Sequence, residues 1–170
     1  LGRRRWRCHK ESGHGWVSPE EALKVSCDTW YYAAADKIGI DAIADMSRRF
    51  GLGETTGLDL GYEVPGIVPS VAYYQERTGG YMRGLALNAV IGQGDSNVTP
   101  LQMAVVYAAI ANGGTIYRPQ VVRRVESPEG YVIEEFLPEV RKKVGVPEAH
   151  LERIRRGLEQ VVGSPGGTAY

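Results

Sequence analysis

Apolar side chains recur at helical spacing through most of the chain, and glycines or prolines interrupt them at intervals that delimit helices. The run Ser18-Pro19-Glu20-Glu21 has the form of a capping box with proline at the first helical position, which predicts a short helix directed toward Ser26. Further helices are predicted over residues 28–37, closed near Gly39, and over residues 40–50.

The second half of the chain contains three further predicted elements. Residues 99–102 (Thr-Pro-Leu-Gln) form another capping box, and residues 103–111 after it are apolar on nearly every face, which predicts a helix buried in the centre of a domain. Residues 121–125 and 131–135 are expected to pair as a β-hairpin, and residues 147–162 carry the apolar stripe of a final helix.

Between these helical regions, residues 55–70 are rich in glycine, proline and threonine and predict a long irregular crossing. Loops of this length commonly line a site or carry a function. Asp59 and Glu63 form a carboxylate pair in it, but no neighbours that would shift their pKa are evident, so a solvated loop is the better interpretation. Gln93, flanked by two glycines, could line a cleft, but the glycines also permit close packing of the backbone, so a structural role is the expectation.

Composition narrows the class of protein. A chain of 170 residues with 43% hydrophobic content is expected to form one domain over residues 1–170. Its 20 basic and 20 acidic residues cancel, so nothing in the charge favours nucleic acid as a partner. The local basic run, Arg3-Arg4-Arg5 with Arg7 and Lys10, is typical of a solvated terminus. The absence of an initiating methionine and the Pro/Gly-rich end suggest an internal piece of a larger protein.

Ser26 and Asp28 place a hydroxyl and a carboxylate two residues apart, where one predicted helix ends and the next begins. Such a pair is typical of an active-site turn, because a short side chain at a helix start is held rigidly and can be aimed across a cleft. The pattern is weak by itself, since serine and aspartate also cap helices and Asp28 could simply be the N-cap of the following helix. Its significance depends on the rest of the sequence.

Several short blocks stand in a fixed order along the chain: Gly13-His14-Gly15, Ser26-Cys27-Asp28-Thr29, Phe50-Gly51-Leu52-Gly53, Thr56-Gly57-Leu58-Asp59-Leu60, Glu63-x-x-Gly66-x-x-Pro69-Ser70, Ile91-Gly92-Gln93-Gly94 and Thr99-Pro100-Leu101-Gln102. In this order they resemble the transpeptidase domains of class B penicillin-binding proteins. The resemblance is strongest to the penicillin-binding protein 2 branch, which acts in cell elongation, and it covers about residues 6–169.

The resemblance implies a mainly α (α+β) fold, the helical part of the penicillin-binding and serine β-lactamase-like transpeptidase fold with a short β-hairpin. It implies a serine D,D-transpeptidase that cross-links peptidoglycan stem peptides through an acyl-enzyme and is acylated by β-lactams. Transpeptidation requires no cofactor. The implied location is the periplasmic domain of a bacterial protein anchored in the inner membrane, with membrane proteins of the elongation complex as partners.

Sites of this family combine three motifs, and Ser26 and Asp28 match the second, Ser-x-Asn or Ser-x-Asp. The match implies that the Ser26 hydroxyl belongs to the proton-transfer network around the nucleophile and the leaving amine. It also implies that Asp28 contacts the catalytic lysine and the side-chain amide of the bound peptide or β-lactam.

The other two motifs, Ser-x-x-Lys and Lys-Thr-Gly, do not occur in the sequence. Arg77-Thr78-Gly79 is similar to Lys-Thr-Gly, but it lies before Asn88, where the order of the family's motifs does not place that strand. Gly167-Thr168-Ala169 matches a separate Gly-Thr-Ala that the family has shortly upstream of Lys-Thr-Gly. Because no acyl-enzyme forms without an activated serine, this chain alone is expected to be inactive as a transpeptidase.

Cys8, His14 and Cys27 are three residues of the types that bind zinc. His9, a carboxylate outside this chain or water would complete a tetrahedral site, although the spacing is not that of a standard zinc finger. The alternatives are a Cys8–Cys27 disulfide, which an oxidising periplasm would permit, or two unpaired thiols. His14 alone would more often be a hydrogen-bonded structural histidine.

Two other functions remain open at this point: a non-catalytic penicillin-binding-like scaffold, and a small zinc-stabilised interaction module. The resemblance further predicts that the helix over residues 147–162, which packs on a sheet in the family, exposes apolar surface here. Such a patch would favour dimerisation or exchange of segments between chains.

Overall fold

The computed structural model describes residues 5–170 and confirms the predicted mainly helical architecture with short antiparallel strands. Its elements are α1 (Pro19–Lys24), α2 (Asp28–Arg49), α3 (Val71–Thr78), α4 (Gly84–Ala89), α5 (Pro100–Ala111), β1 (Thr115–Tyr117), β2 (Arg124–Glu126), β3 (Val132–Glu135), β4 (Val140–Lys143) and α6 (Glu148–Gly163). Strand β1 pairs with β4, and β2 pairs with β3. Arg3 and Arg4 of the basic run lie outside the described residues. Across residues 5–170, no helix has the length and hydrophobicity needed to cross a membrane.

Local capping explains where the first two helices begin. Both halves of the predicted capping box form in α1, because the Ser18 hydroxyl accepts the Glu21 N–H at 3.2 Å and the Glu21 carboxylate accepts the Ser18 N–H at 2.8 Å. The two helices predicted over residues 28–37 and 40–50 form one element, α2, which is broken in its middle by Gly39 at φ 79°. The first half of α2 begins at Asp28, the last residue of the Ser-Cys-Asp turn.

Helices α3 and α4 are not evident from the hydrophobic pattern. The irregular crossing over residues 55–70 is confirmed, but α3 follows it at once. The Ser70 hydroxyl caps α3 by accepting the N–H of Tyr73 at 3.2 Å, and Gly79 ends the helix in the left-handed conformation. These caps are visible in the sequence, but the polar residues of α3 obscure its periodicity.

Helix α5 is less buried than its composition predicts. Gln102 and Ala109 are fully buried, but Tyr107 is 53% exposed and Ala108 is exposed as well. The prediction that residues 103–111 lie in the centre of a domain is therefore wrong for the part of the chain described here. An apolar helix is buried on all sides only where neighbours surround it, and here β1 and α6 cover one side.

The predicted exposed apolar surface along the last helix is present only in part, because α6 packs on α1. Of the predicted stripe, Leu151 is buried, and Ile154, Leu158 and Val161 are half-buried. Val162, next to the stripe, is 60% exposed. The predicted hairpin does form, and it carries exposed apolar side chains as well: Ile133 is 67% exposed.

Most buried apolar side chains of residues 5–170 gather in three separate clusters rather than in one core. One lies between α2, α3 and α4, another between the N-terminal segment, α1 and α2, and another between α5, β1 and β4. Their buried members are, respectively, Ala35, Ile40, Tyr74, Ala86 and Leu87; Cys8, Ala22 and Cys27; and Ala109, Ile116 and Val144. The second cluster includes the middle residue of the Ser-Cys-Asp turn.

Candidate active-site turn

Helix α1 ends in a left-handed turn stabilised by two backbone hydrogen bonds. The Ser26 N–H donates to the Leu23 carbonyl at 3.3 Å, and the Cys27 N–H donates to the Ala22 carbonyl at 2.9 Å, which is the pattern of a Schellman motif. The left-handed position of this motif is usually occupied by glycine, but here it is Ser26, at φ 49°. Among residues 5–170, Ser26 alone combines a side chain with a positive φ. The fold thus keeps a hydroxyl where glycine would be less strained.

The Ser26 side chain is exposed on the outer side of this turn. Its Oγ lies 3.4 Å from the Oγ1 of Thr168, a residue distant in sequence. The next residue, Cys27, points the other way and is only 3% exposed, within the cluster that includes Ala22 and Cys8. Successive residues of the turn therefore serve opposite sides: Ser26 faces outward and Cys27 faces the core.

Asp28 is the first residue of α2 and not its N-cap, so the interpretation of Asp28 as a simple cap is wrong. Cys27 occupies the N-cap position and makes no side-chain capping bond. The Asp28 Oδ2 instead accepts the backbone N–H of His9 at 2.9 Å, and the His9 Nδ1 lies 3.5 Å away. A carboxylate in the first turn of a helix is also favoured by the helix dipole. Asp28 is thereby held between α2 and the N-terminal segment.

The predicted metal ligands Cys8, His14 and Cys27 converge beneath the turn. Their ligand atoms all lie within 4.8 Å of one another, and the Cys8 Sγ is 3.4 Å from the His14 Nδ1. Ligand atoms of a tetrahedral zinc site are separated by about 3.5 Å, given bonds of 2.0–2.3 Å. The donor types suit a zinc ion, and the separation of the Cys8 sulfur and the His14 nitrogen matches one edge of such a tetrahedron. Cys8 also forms a second, overlapping group with His9 and Asp28.

Protonation favours this cluster as a ligand set. Burial lowers the pKa of His14 below its usual value, and the nearby Lys10 and His9 lower it further, against the opposing effect of Asp28. A neutral imidazole is the form that binds a metal. Both cysteines are buried and free, so the disulfide alternative is not formed in this structure.

One of the loop carboxylates, Glu63, differs from its predicted role. Glu63 is not a solvated carboxylate, because it accepts hydrogen bonds from the Thr56 hydroxyl at 2.7 Å and from the N–H groups of Thr56 and Gly57 at 2.8 and 2.9 Å. These bonds hold its pKa below the usual value. Asp59 is exposed, as predicted. Gln93 is exposed as well and lines a polar cavity of about 420 Å³.

Sequence reasoning did not identify the contacts that Thr168 and His9 make with the Ser-Cys-Asp turn. Thr168 has no local signal that connects it to Ser26, since the two residues meet only through the packing of α6 on α1. The position of His9 next to Cys8 was a usable signal, because any metal cluster that includes Cys8 brings its neighbour close to the same turn.

Comparison with known proteins gives one consistent result. The family model for the penicillin binding protein transpeptidase domain matches residues 2–170. Among curated proteins, the peptidoglycan D,D-transpeptidase MrdA of Acinetobacter baumannii is 35% identical over 130 residues, which covers 76% of this chain and 19% of the relative. MrdA of Salmonella typhimurium is 31% identical over 170 residues, covering 98% of this chain and 27% of the relative.

Solved structures give the same result for the fold. The penicillin-binding protein PBP2 of Helicobacter pylori, in complex with MreC, superposes with a TM-score of 0.84 at 28% identity, over 100% of this chain and 30% of that one. PBP2 of Pseudomonas aeruginosa, in complex with WCK 5153, superposes with a TM-score of 0.79 at 32% identity, over 98% of this chain and 37% of that one. The chain thus spans between 19% and 37% of the length of these proteins.

Proposed function

Because the chain belongs to the penicillin-binding protein transpeptidase family, we propose that residues 1–170 form the central, mostly helical part of a peptidoglycan D,D-transpeptidase domain of the penicillin-binding protein 2 type. In the full-length protein this domain cross-links stem peptides through a serine acyl-enzyme and is acylated by β-lactams. The chemistry is acyl transfer and needs no cofactor. This chain supplies one side of the site, the Ser-Cys-Asp turn.

The observation that carries this proposal is the left-handed conformation of Ser26. A residue with a side chain costs about 1–2 kcal/mol more than glycine in this conformation, so the fold tolerates strain to keep a hydroxyl there. Strain of this kind clusters at functional sites. A hydroxyl both donates and accepts a hydrogen bond, so Ser26 can pass a proton between the nucleophile and the leaving amine.

Asp28 has a separate role in this proposal. Its Oδ2 is fixed by the His9 N–H, and a carboxylate has acceptor capacity for several further hydrogen bonds. Asp28 therefore accepts the amide N–H of a bound peptide or β-lactam side chain and pairs with the catalytic lysine. Both partners are cationic or N–H donors, which an ionised carboxylate binds more strongly than a neutral acceptor would.

Labelling with a fluorescent penicillin tests the function. The full-length protein is expected to be labelled, whereas this chain alone is expected to stay unlabelled, because it contains no Ser-x-x-Lys motif. Ser26→Ala in the full-length protein is expected to slow labelling. Covalent labelling of the chain alone would contradict its proposed inactivity, and an unlabelled full-length protein would favour the non-catalytic scaffold.

We further propose that Cys8, His14 and Cys27 bind a structural zinc ion. The buried thiols, the lowered pKa of His14 and the ligand-atom separations support this site. The fourth ligand would be His9, whose Nδ1 lies 3.6 Å from the Cys8 sulfur, a carboxylate outside this chain or water. The ion would fasten the N-terminal segment to the underside of the Ser26 turn.

Metal analysis before and after treatment with a chelator tests the zinc site. One equivalent of zinc is expected in the full-length protein and should be lost in Cys27→Ala and in His14→Ala. The control is His150→Ala, which removes an exposed histidine of α6. If no metal is found and two thiols can be titrated, the cysteines are unpaired and the zinc site is refuted. If neither metal nor free thiols are found, the cysteines form a disulfide.

The location and partners follow the same proposal. We place the domain in the periplasm, with an inner-membrane anchor outside this chain and membrane proteins of the elongation complex as partners. The structure of the Helicobacter pylori relative with MreC supports a partner of that type. Co-purification of the full-length protein with its own MreC is the test, and failure of the two to associate in detergent would count against it.

A further inference from the structure

The C-terminal segment over residues 166–169, here called the strap, returns from the end of α6 to the Ser26 turn. The Ala169 N–H donates to the Val161 carbonyl at 3.0 Å, which fixes the strap on α6. The Thr168 N–H donates to the Lys24 carbonyl at 3.2 Å, which fixes it on the last turn of α1. The strap therefore joins two helices at the point where the Ser-Cys-Asp turn begins.

Gly167 allows the strap to lie this close to α6. A Cβ atom at this position would be 2.3 Å from the Val161 carbonyl oxygen and 2.4 Å from that of Gln160, which is far inside contact distance. These atoms belong to the backbone, so they cannot rotate away. The position of the next residue, Thr168, is consequently set by backbone contacts rather than by side-chain packing.

The turn follows α1 and the strap follows α6, and these two helices pack against each other. Gly157 of α6 is buried against Leu23 of α1, and Arg153 forms two hydrogen bonds to the Glu20 carboxylate, at 2.6 and 3.0 Å. The α1–α6 interface holds the two anchors of the strap, Lys24 and Val161, at a set separation, and the backbone hydrogen bonds of Thr168 and Ala169 to these residues hold the strap on them. Together they bring the Thr168 side chain next to Ser26.

The two side-chain oxygens, Ser26 Oγ and Thr168 Oγ1, lie 3.4 Å apart. This is longer than the usual 2.7–2.8 Å for two hydroxyls, but catalytic hydrogen bonds are often long in a free enzyme and shorten when the substrate binds. An exposed serine has three staggered rotamers and a freely rotating proton. A neighbouring hydroxyl favours the serine rotamer that faces it, and either hydroxyl can donate the hydrogen bond in this pair.

We infer that Thr168 is a positioning residue, whose hydroxyl orients the Ser26 hydroxyl for proton transfer during acylation. This inference rests on the proposed role of Ser26. A neutral hydrogen bond is worth about 0.5–1.5 kcal/mol, which corresponds to a change in rate of about 2- to 12-fold. Removal of the Thr168 hydroxyl should therefore slow acylation moderately, and less than removal of the Ser26 hydroxyl.

The test measures acylation of the full-length protein by a fluorescent penicillin, separating the affinity from the maximal rate. Thr168→Val removes the hydroxyl and keeps the shape, and it is expected to lower the maximal rate about 2- to 12-fold with little change in affinity. Thr168→Ser keeps the hydroxyl and should restore the rate to within about twofold. Thr55→Val, at an exposed position in another loop, is the control and should leave the rate unchanged.

A double-mutant cycle separates this inference from the proposed function. In the Ser26→Ala background, Thr168→Val should have no further effect, because its target is gone. An equal slowing by Thr168→Val with and without the Ser26 hydroxyl would overturn the inference, as would a Thr168→Ser variant as slow as the valine variant. If Ser26→Ala itself leaves acylation unchanged, the proposed role of Ser26 fails first, whatever Thr168 does.

Discussion

The left-handed conformation of Ser26 allows backbone strain to be separated from chemistry with two substitutions. Ser26→Ala and Ser26→Gly both remove the hydroxyl, so both should slow acylation to a similar extent. They differ in the backbone, because glycine adopts a φ of 49° without strain and alanine does not. We therefore expect the glycine variant to hold the turn more firmly than the alanine variant.

The difference in free energy between the glycine and alanine variants has two opposing contributions. Relief of the left-handed conformation favours glycine over alanine by about 1–2 kcal/mol. The greater freedom of glycine in the unfolded chain costs about 0.4–1 kcal/mol. The net preference for Ser26→Gly is about 0.5–1 kcal/mol, or a factor of about 2 to 5 in the equilibrium for opening the turn.

Hydrogen exchange of the Cys27 amide measures that equilibrium directly, because this N–H closes the turn by donating to the Ala22 carbonyl at 2.9 Å. In the full-length protein, the amide should exchange about 2 to 5 times more slowly in Ser26→Gly than in Ser26→Ala. Equal exchange in the two variants, or faster exchange with glycine, would refute the left-handed assignment and with it the strain argument for Ser26.

Three further predictions concern the framework around the turn. Gln102→Leu should destabilise the full-length protein by about 3 kcal/mol in urea unfolding. The buried Gln102 amide donates to two backbone carbonyls and accepts one backbone N–H, and these three groups would lose their partner. An unchanged unfolding midpoint would contradict this. Gly66→Ala should cost about 3 kcal/mol in the same assay, because its Cβ would lie 2.3 Å from the Asn97 carbonyl oxygen at a φ of 71°. The hydrogen bond from Arg153 lowers the pKa of Glu20 from 4.5 to about 2, so its stabilisation is complete above about pH 4.5 and is lost as the pH falls toward 2. The melting temperature of Glu20→Gln should therefore lie below that of the wild type at pH 6 and approach it near pH 3, and a constant difference would exclude this linkage.

The starts of helices could be predicted from the sequence, because they depend on residues that are close together in the chain. The capping box at Ser18 predicted the start of α1, and the one at Thr99 predicted the start of α5, because each motif satisfies backbone groups within a single turn. Burial was harder to predict. The apolar composition of residues 103–111 says how hydrophobic α5 is, but not which of its sides other elements cover.

Part of the candidate site could be predicted from the sequence and part could not. Residue type alone identified Cys8, His14 and Cys27, and the structure does bring these three together. The conformation of Ser26 was not predictable, since Ser-x-Asp is compatible with an ordinary cap and the left-handed position of such a turn usually carries glycine. The contact with Thr168 was also out of reach, because it depends on long-range packing of α6.

The order of residues in the turn connects the proposed zinc site to the proposed chemistry. A Schellman motif is stabilised by a hydrophobic contact across it, and here Cys27 packs with Ala22 on the inner side of the turn. Ser26 is left-handed because its two neighbours are held, Val25 by the end of α1 and Cys27 by burial. A metal ion on the Cys27 sulfur would add a bond on the same inner side. Loss of the ion would therefore loosen the residue that keeps Ser26 strained, so chelation should slow acylation even though zinc takes no part in the reaction.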